Sequence, residues 1–191
     1  MKVRIGSLAA LALFLFTPDV FAQAPAGGAF IGFNQSYYAT QPKNETNAKQ
    51  GLVAGVFGVL RREKTLKIQP ELQFSQRRVE VNYAGSLQTH TNSYVNLGLL
   101  LRTNLFKGLY STQGPQFMLP VSGKLDVNGT ELDLKDNINS DFSLVVGLGR
   151  QFGRIGVEAR WDSGFKRIED APIGNFVKRN RAITVIGIVA F

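Results

Sequence analysis

The feature of this sequence that most limits its fold is a two-residue alternation that recurs along the chain, while helical periodicity is scarce. Over residues 66–74, Leu66, Ile68, Pro70, Leu72 and Phe74 share one face; Lys67, Gln69, Glu71 and Gln73 share the other, and Ser75 and Arg77 continue that polar row. Val95, Leu97, Leu99 and Leu101 oppose Tyr94, Asn96, Gly98 and Arg102. Phe142, Leu144, Val146 and Leu148 oppose Ser143, Gly147, Gly149 and Gln151. Ile155, Val157, Ala159 and Trp161 oppose Gly156, Glu158, Arg160 and Asp162, and Ile183, Val185, Val189 and Phe191 form a last apolar row. Successive side chains of an extended strand point to opposite faces, so each segment reads as a strand with one apolar and one polar side.

Residues 28–38, 50–60 and 109–122 read as strands less cleanly, which brings the count to eight. Segment 50–60 is apolar or glycine on both faces, and Ile186 and Ile188 turn the same way as Thr184. A narrow barrel can pack such residues inside. The breaks alternate in length. Long ones fall near 39–49, 80–91, 123–139 and 166–178, and short ones at 61–63, 104–107 and 153–154. Outer-membrane barrels have short periplasmic turns and longer outer loops, with an even strand count that puts both termini on the periplasmic side. Inside the third long break, Asn128-Gly129 lies between alternating residues over 125–132 and predicts that strands five and six continue beyond the membrane, or that a small outer hairpin forms there.

The first residues read as a targeting segment. Lys2 and Arg4 precede an apolar run over 5–16, Thr17-Pro18-Asp19 breaks it, and Val20-Phe21-Ala22 suits a signal peptidase. Cleavage after Ala22 is expected, followed by a short linker over 23–27 and a barrel domain over 28–191. The chain has no cysteine, which excludes a disulfide scaffold, a thiolate metal site and a lipidated N-terminal cysteine. Its net charge of +8 would suit nucleic acid, but an exported protein rarely meets any. Outer-membrane lipid and lipopolysaccharide head groups are the expected counter-charge.

Beyond the leader no run of ~20 apolar residues exists, so no transmembrane helix is expected. A soluble lipocalin-like barrel would show the same alternation turned inside out. Two features favour lipid outside. Segment 50–60 has no polar face to offer water, and aromatics collect near strand ends (Tyr37, Tyr38, Phe74, Tyr94, Phe106, Phe152, Trp161, Phe165, Phe191), as interfacial girdles do. The expected fold is therefore all-β: an eight-stranded antiparallel transmembrane up-and-down β-barrel, closed because hydrocarbon satisfies no strand edge.

Several segments also resemble a known family. Gln69-Pro70-Glu71-Leu72-Gln73-Phe74-Ser75-Gln76 is similar to the "QPELxxSQ" segment of the PorT-like outer-membrane β-barrels common in Bacteroidetes. Residues 94–102 resemble that family's "YLEIPLLLK" strand, Gly114-Pro115-Gln116 its "GPQ", and Asp141-Phe142-Ser143 with Gly147-Leu148-Gly149 its "DFGxxxGxG". Asn180-Arg181 and the alternation that follows are similar to its closing strand. The family's Glu and Pro in the fourth strand are Asn96 and Gly98 here, so any inner contact of that Glu is absent. The resemblance implies an outer-membrane barrel, with some relatives linked to secretion or gliding machinery, and no single shared activity.

On this reading the lumen candidates are Lys67, Glu71, Arg77, Arg102, Glu158, Arg160 and Asp162. A symmetric second hairpin would set Glu71 against Arg102 as the leading ion pair. Gly147 and Gly149 would make room for Glu158 or Arg160. Eight strands leave no aqueous bore, so a polar plug is expected over an ion path. Lys166, Arg167, Lys178, Arg179 and Arg181 form a basic patch around the fourth outer loop, suited to lipopolysaccharide phosphate or an envelope protein partner. The strand ending at Phe191 is the expected signal to the barrel-assembly machinery. His90, the one histidine, falls in the second long loop without a recognisable acid partner, so a lipid-modifying enzyme is the second reading and a narrow channel the third. Neither a metal nor a cofactor is expected: His90 has no ligand companions, and the glycine run at 147–153 leads into a turn and strand, not a helix.

Overall fold

The computed structural model describes residues 26–41, 46–62, 65–83, 86–127, 129–133, 138–165 and 177–191. Ten strands form one antiparallel sheet: β1 (Gly27–Gln41), β2 (Thr46–Gly58), β3 (Arg61–Arg62), β4 (Leu66–Tyr83), β5 (Ser86–Asn104), β6 (Leu109–Val127), β7 (Thr130–Asp133), β8 (Asp141–Phe152), β9 (Ile155–Gly164) and β10 (Val177–Ala190). β1 pairs with both β10 and β2, and β2 pairs with β4, so the sheet closes on itself. Eight strands make the wall; the two-residue β3 pairs with β4, and β7 pairs with β6. The expected closed, eight-stranded antiparallel barrel is what forms. The expected leader, its cleavage site and residues 23–25 lie outside the described residues.

The expected alternation holds, with the apolar rows outward. Ile31, Phe33, Leu52, Val56, Leu72, Phe74, Leu97, Leu99, Leu144, Leu148, Ile183 and Val185 are all exposed. Water could not stabilise such a belt around the barrel; lipid does. On β4 the row runs from Leu66 to Phe74, nine residues whose eight steps, at ~3.4 Å each and a tilt of ~40°, cover roughly 20 Å of membrane. The predicted outer hairpin is present: β6 and β7 pair Val127 with Thr130 and Lys124 with Asp133, and Gly129, at φ 88°, donates its N–H to Asp126 Oδ1 at 2.9 Å.

Two expected long loops are corrected. β4 and β5 stay zipped to the pair Tyr83–Ser86, and β1 and β2 reach Gln41 and Thr46, so most of 39–49 and 80–91 is strand. Above the lipid the outward row turns polar while Val79, Val81 and Tyr94 still pack inside, so pairing continues where the apolar signal of a lipid-facing strand stops. His90 consequently lies on β5, buried at 5% exposure, and not in a solvated loop.

Candidate functional site

Each of the seven lumen candidates is buried inside the barrel: Lys67, Glu71, Arg77, Arg102, Glu158, Arg160 and Asp162. Strand parity delivers them there, because each alternates with residues that point out of the barrel. The structure brings them together differently from the expected hairpin. The register sets Glu71 opposite Gly98 and Arg102 opposite Lys67, so Glu71–Arg102 is not the pair that forms. The ladder is centred between Tyr83 and Ser86, not on the middle of the expected loop, and this leaves Glu71 and Arg102 two rows apart.

The cation that Glu71 holds is Arg160, across the lumen on β9. Arg160 donates from Nη1 to Glu71 Oε2 at 2.6 Å and from Nη2 to Glu71 Oε1 at 2.7 Å. Its Nε donates to Glu158 Oε1 at 2.8 Å. One guanidinium is thus clasped by two carboxylates, an arrangement whose planar fork suits arginine and not lysine. Gln69 Nε2 donates to Glu71 Oε1 at 2.8 Å; the Tyr110 hydroxyl donates to Glu158 Oε2 at 3.1 Å, and Thr112 donates to Glu158 Oε1. Arg102 lies 3.5 Å above the centre of the Tyr110 ring and donates to Gln151 Oε1 at 2.5 Å. Its charge offsets the extra carboxylate of the clasp.

Glycines create the space. A Cβ on Gly147 would stand 2.5 Å from Thr112 Oγ1 and 2.6 Å from Glu158 Oε1, as expected of that position; one on Gly149, which pairs with Glu158, would first strike the Tyr110 ring. Where the β2–β4 ladder lapses between Lys49 and Val53, Asn34 Nδ2 donates to the Gln76 carbonyl at 2.9 Å, and a Cβ on Gly51 would meet Asn34 Oδ1 at 2.9 Å. Toward the outer end, Arg77 Nη2 donates to Asp162 Oδ1 at 2.8 Å. Apolar clusters stop both ends: Phe30, Val53, Phe57, Ile186 and Ile188 near the termini, and Val79, Val81, Tyr94, Met118 and Ile138 near the outer rim. Ile186 and Ile188 do turn inward, as expected.

The interior holds more than the seven. Gln69, Gln73, Asn96, Gln116, Asp141, Arg150 and Asn180 are also buried. Parity alone could have found Asp141, since Phe142 faces lipid; nothing local marks Arg150. Of the expected basic patch, Lys166 and Arg167 lie outside the described residues. Lys178, Arg179 and Arg181 belong to β10, paired with Thr40, Ala39 and Tyr37, so they are strand residues and not loop residues. Among the described residues no group of three His, Asp or Glu side chains could hold a metal.

Two salt bridges lie on the outer extension, beyond the lipid-facing rows. Lys49 Nζ meets Glu80 Oε2 at 2.8 Å, and Asn47 Nδ2 donates to Glu80 Oε1 at 3.3 Å. The hydrogen bond from Lys49, foremost, holds the Glu80 carboxyl below its ordinary range. Lys124 Nζ meets Glu131 Oε2 at 2.9 Å, and that bond raises the Lys124 ammonium above its ordinary value.

A closed antiparallel barrel with an apolar belt outside and paired charges inside defines an integral outer-membrane β-barrel protein. Residues 21–169 match the model of the family described as "Outer membrane protein beta-barrel domain", and the chain belongs to that family. Among solved structures it is similar to Neisserial surface protein A, at 9% identity and a TM-score of 0.55, over 87% of this chain and 97% of that one. It is also similar to Ail, the attachment invasion locus protein of Yersinia pestis, at 15% identity and a TM-score of 0.50, over 88% of this chain and 100% of that one. At such identities the likeness shows the fold alone. No curated protein sequence matches the chain. The protein is a bacterial outer-membrane protein.

Proposed function

We propose that this protein is a non-enzymatic, non-conducting envelope barrel of the PorT-like kind, working through its outer surface as a structural, binding or accessory component, in a secretion-related setting. The observation that carries this reading is the Arg160 clasp: both carboxylates and the guanidinium that could move an ion or proton are locked to one another by bonds of 2.6–2.8 Å across the bore. Charges held that tightly plug a barrel; an aqueous path would leave them solvated. Cleavage after Ala22, insertion through the assembly machinery by way of the strand ending at Phe191, and contact with lipopolysaccharide or an envelope protein belong to the same proposal.

Refolded protein in planar bilayers should give no steady conductance, and no turnover of lipid A or phospholipid. Regular conductance steps would restore the channel reading; turnover abolished by His90→Ala would restore the enzyme. A pull-down from envelope extracts tests the accessory role, with recovery of a defined secretion component as the supporting result.

A further inference from the structure

On the outer wall of β4, β5 and β6 the side chains change character within a single row. The register aligns Leu72 with Leu97 and Phe117, then Phe74 with Val95 and Leu119. The next rows are Gln76, Ser93 and Ser122, then Arg78, Thr91 and Lys124, then Glu80, Thr89 and Asp126. Two residues advance a row by roughly 7 Å along the strand, or about 5 Å along the membrane normal at a ~40° tilt. The Arg78 row therefore stands about 10 Å above the last apolar row, at the depth of the polar head groups.

This polar wall is concave. β7 folds beside it, with Glu131 on Lys124, and together they enclose an open groove of about 360 Å³ lined by Arg78, Lys124, Thr89, Thr91, Ser93 and Ser122, among others. The volume lies within the ~300–1,000 Å³ of small-ligand sites. Glu80 is drawn to the other side, toward Lys49 and Asn47 on β2, and does not line the groove. Two cations, two carboxylates (Asp126 and Glu131, the latter on Lys124), four hydroxyls and the Gln76 amide remain in one concavity directly above lipid-facing Phe74, Val95 and Leu119. A merely solvated strand face needs charge but no hollow, and no continuity with the apolar belt.

The geometry points to a binding site for the phosphorylated sugar head group of an outer-leaflet glycolipid, its acyl chains lying on the apolar rows below. Arg78 meets the phosphate, joined by Lys124, whose ammonium is shared with Glu131; Asp126, the hydroxyls and the amide exchange hydrogen bonds with the sugar. This deepens the proposal that the protein acts through its outer surface, and it names the ligand class.

The test is retention of lipid A by the full barrel in phosphatidylcholine nanodiscs, read by native mass spectrometry. Wild type should retain bisphosphorylated lipid A, and retain less of its dephosphorylated form; phosphatidylglycerol should not displace it. The double substitution Arg78→Gln and Lys124→Gln should lower retention roughly tenfold or more, while Arg154→Gln at the opposite rim changes nothing. Thr91→Val, which keeps charge and strand preference, should lower it a few-fold. Undiminished retention by the double variant, or ready displacement by phosphatidylglycerol, overturns the site. Protein that inserts but retains no lipid A refutes the groove alone; conductance or lipid turnover by the same preparation refutes the proposed function instead.

Discussion

Arg160 and Lys124 each meet a carboxylate at close range, 2.6 Å in one case and 2.9 Å in the other, yet the two bridges have different consequences. Arg160 and Glu71 are almost wholly enclosed, at 4% and 0% side-chain exposure; Lys124 and Glu131 stand in solvent at 54% and 61%. Inside the barrel each charge has lost its water, so it depends entirely on its partner and cannot be left alone. On the outer extension, water and salt replace a lost partner at little cost. Distance is nearly the same in both places. Burial decides what the bond is worth.

That contrast orders the expected effects. Arg160→Met should be the most damaging, since it leaves Glu71 and Glu158 enclosed without a cation; a loss of about 3–5 kcal/mol is expected. The check is the urea midpoint of the barrel in lipid vesicles. Adding Glu71→Gln to Arg160→Met should recover part of that loss, and no recovery would mean that the cost is one of packing. Glu71→Ala alone removes two charge-assisted hydrogen bonds but leaves Arg160 its second carboxylate. It should cost less, about 2–3 kcal/mol, and lower the temperature at which the folded band is lost on a gel. Unchanged heat resistance would remove the clasp from the explanation of stability.

Gly147→Ala should cost about 1–3 kcal/mol by forcing Glu158 and Thr112 apart, and Gly153→Ala, in open space at a turn with φ 60°, separates packing from backbone strain. The outer bridges should give the smallest effects. The depressed Glu80 carboxyl contributes only when ionised: its stability is present above the ordinary glutamate pKa of about 4.3 and is lost as pH falls through the lower folded value. Lys124 is the reverse, contributing below the ordinary lysine pKa of about 10.4 and losing it as pH rises through the higher folded value. Glu80→Gln should flatten the acid limb of the stability curve slightly, and Lys124→Gln the alkaline limb. An acid limb as steep in Glu80→Gln as in wild type would show that Glu80 contributes nothing.

How far the sequence could be read follows the same physics. Alternation over 66–77, 94–102 and 155–162 fixed which side chains face in, because parity is a local property of an extended chain. All seven lumen residues follow from it. Their partners do not: Glu71 and Arg160 are 89 residues apart, and only the register of every intervening strand aligns them. The observed β4–β5 ladder is centred one residue earlier than the expected loop, and its register sets Glu71 against Gly98 and Arg102 against Lys67. The outer extension was hidden for another reason. Where lipid ends, Gln76, Arg78 and Glu80 replace the apolar row, and a strand whose outward face is polar reads as loop. The groove above Phe74 falls in this stretch.

The sidedness of the wall is the claim on which the rest depends, and the absence of native cysteine makes it directly measurable. Single cysteines at Leu97, Leu99 and Gln73, labelled with a fluorophore before refolding into vesicles, can be quenched by lipids brominated along their acyl chains. Strong quenching at 97 and 99 with little at 73 is the predicted result. Quenching at 73 with 97 and 99 shielded would mean that the barrel is inside out, and neither the clasp nor the groove would survive it.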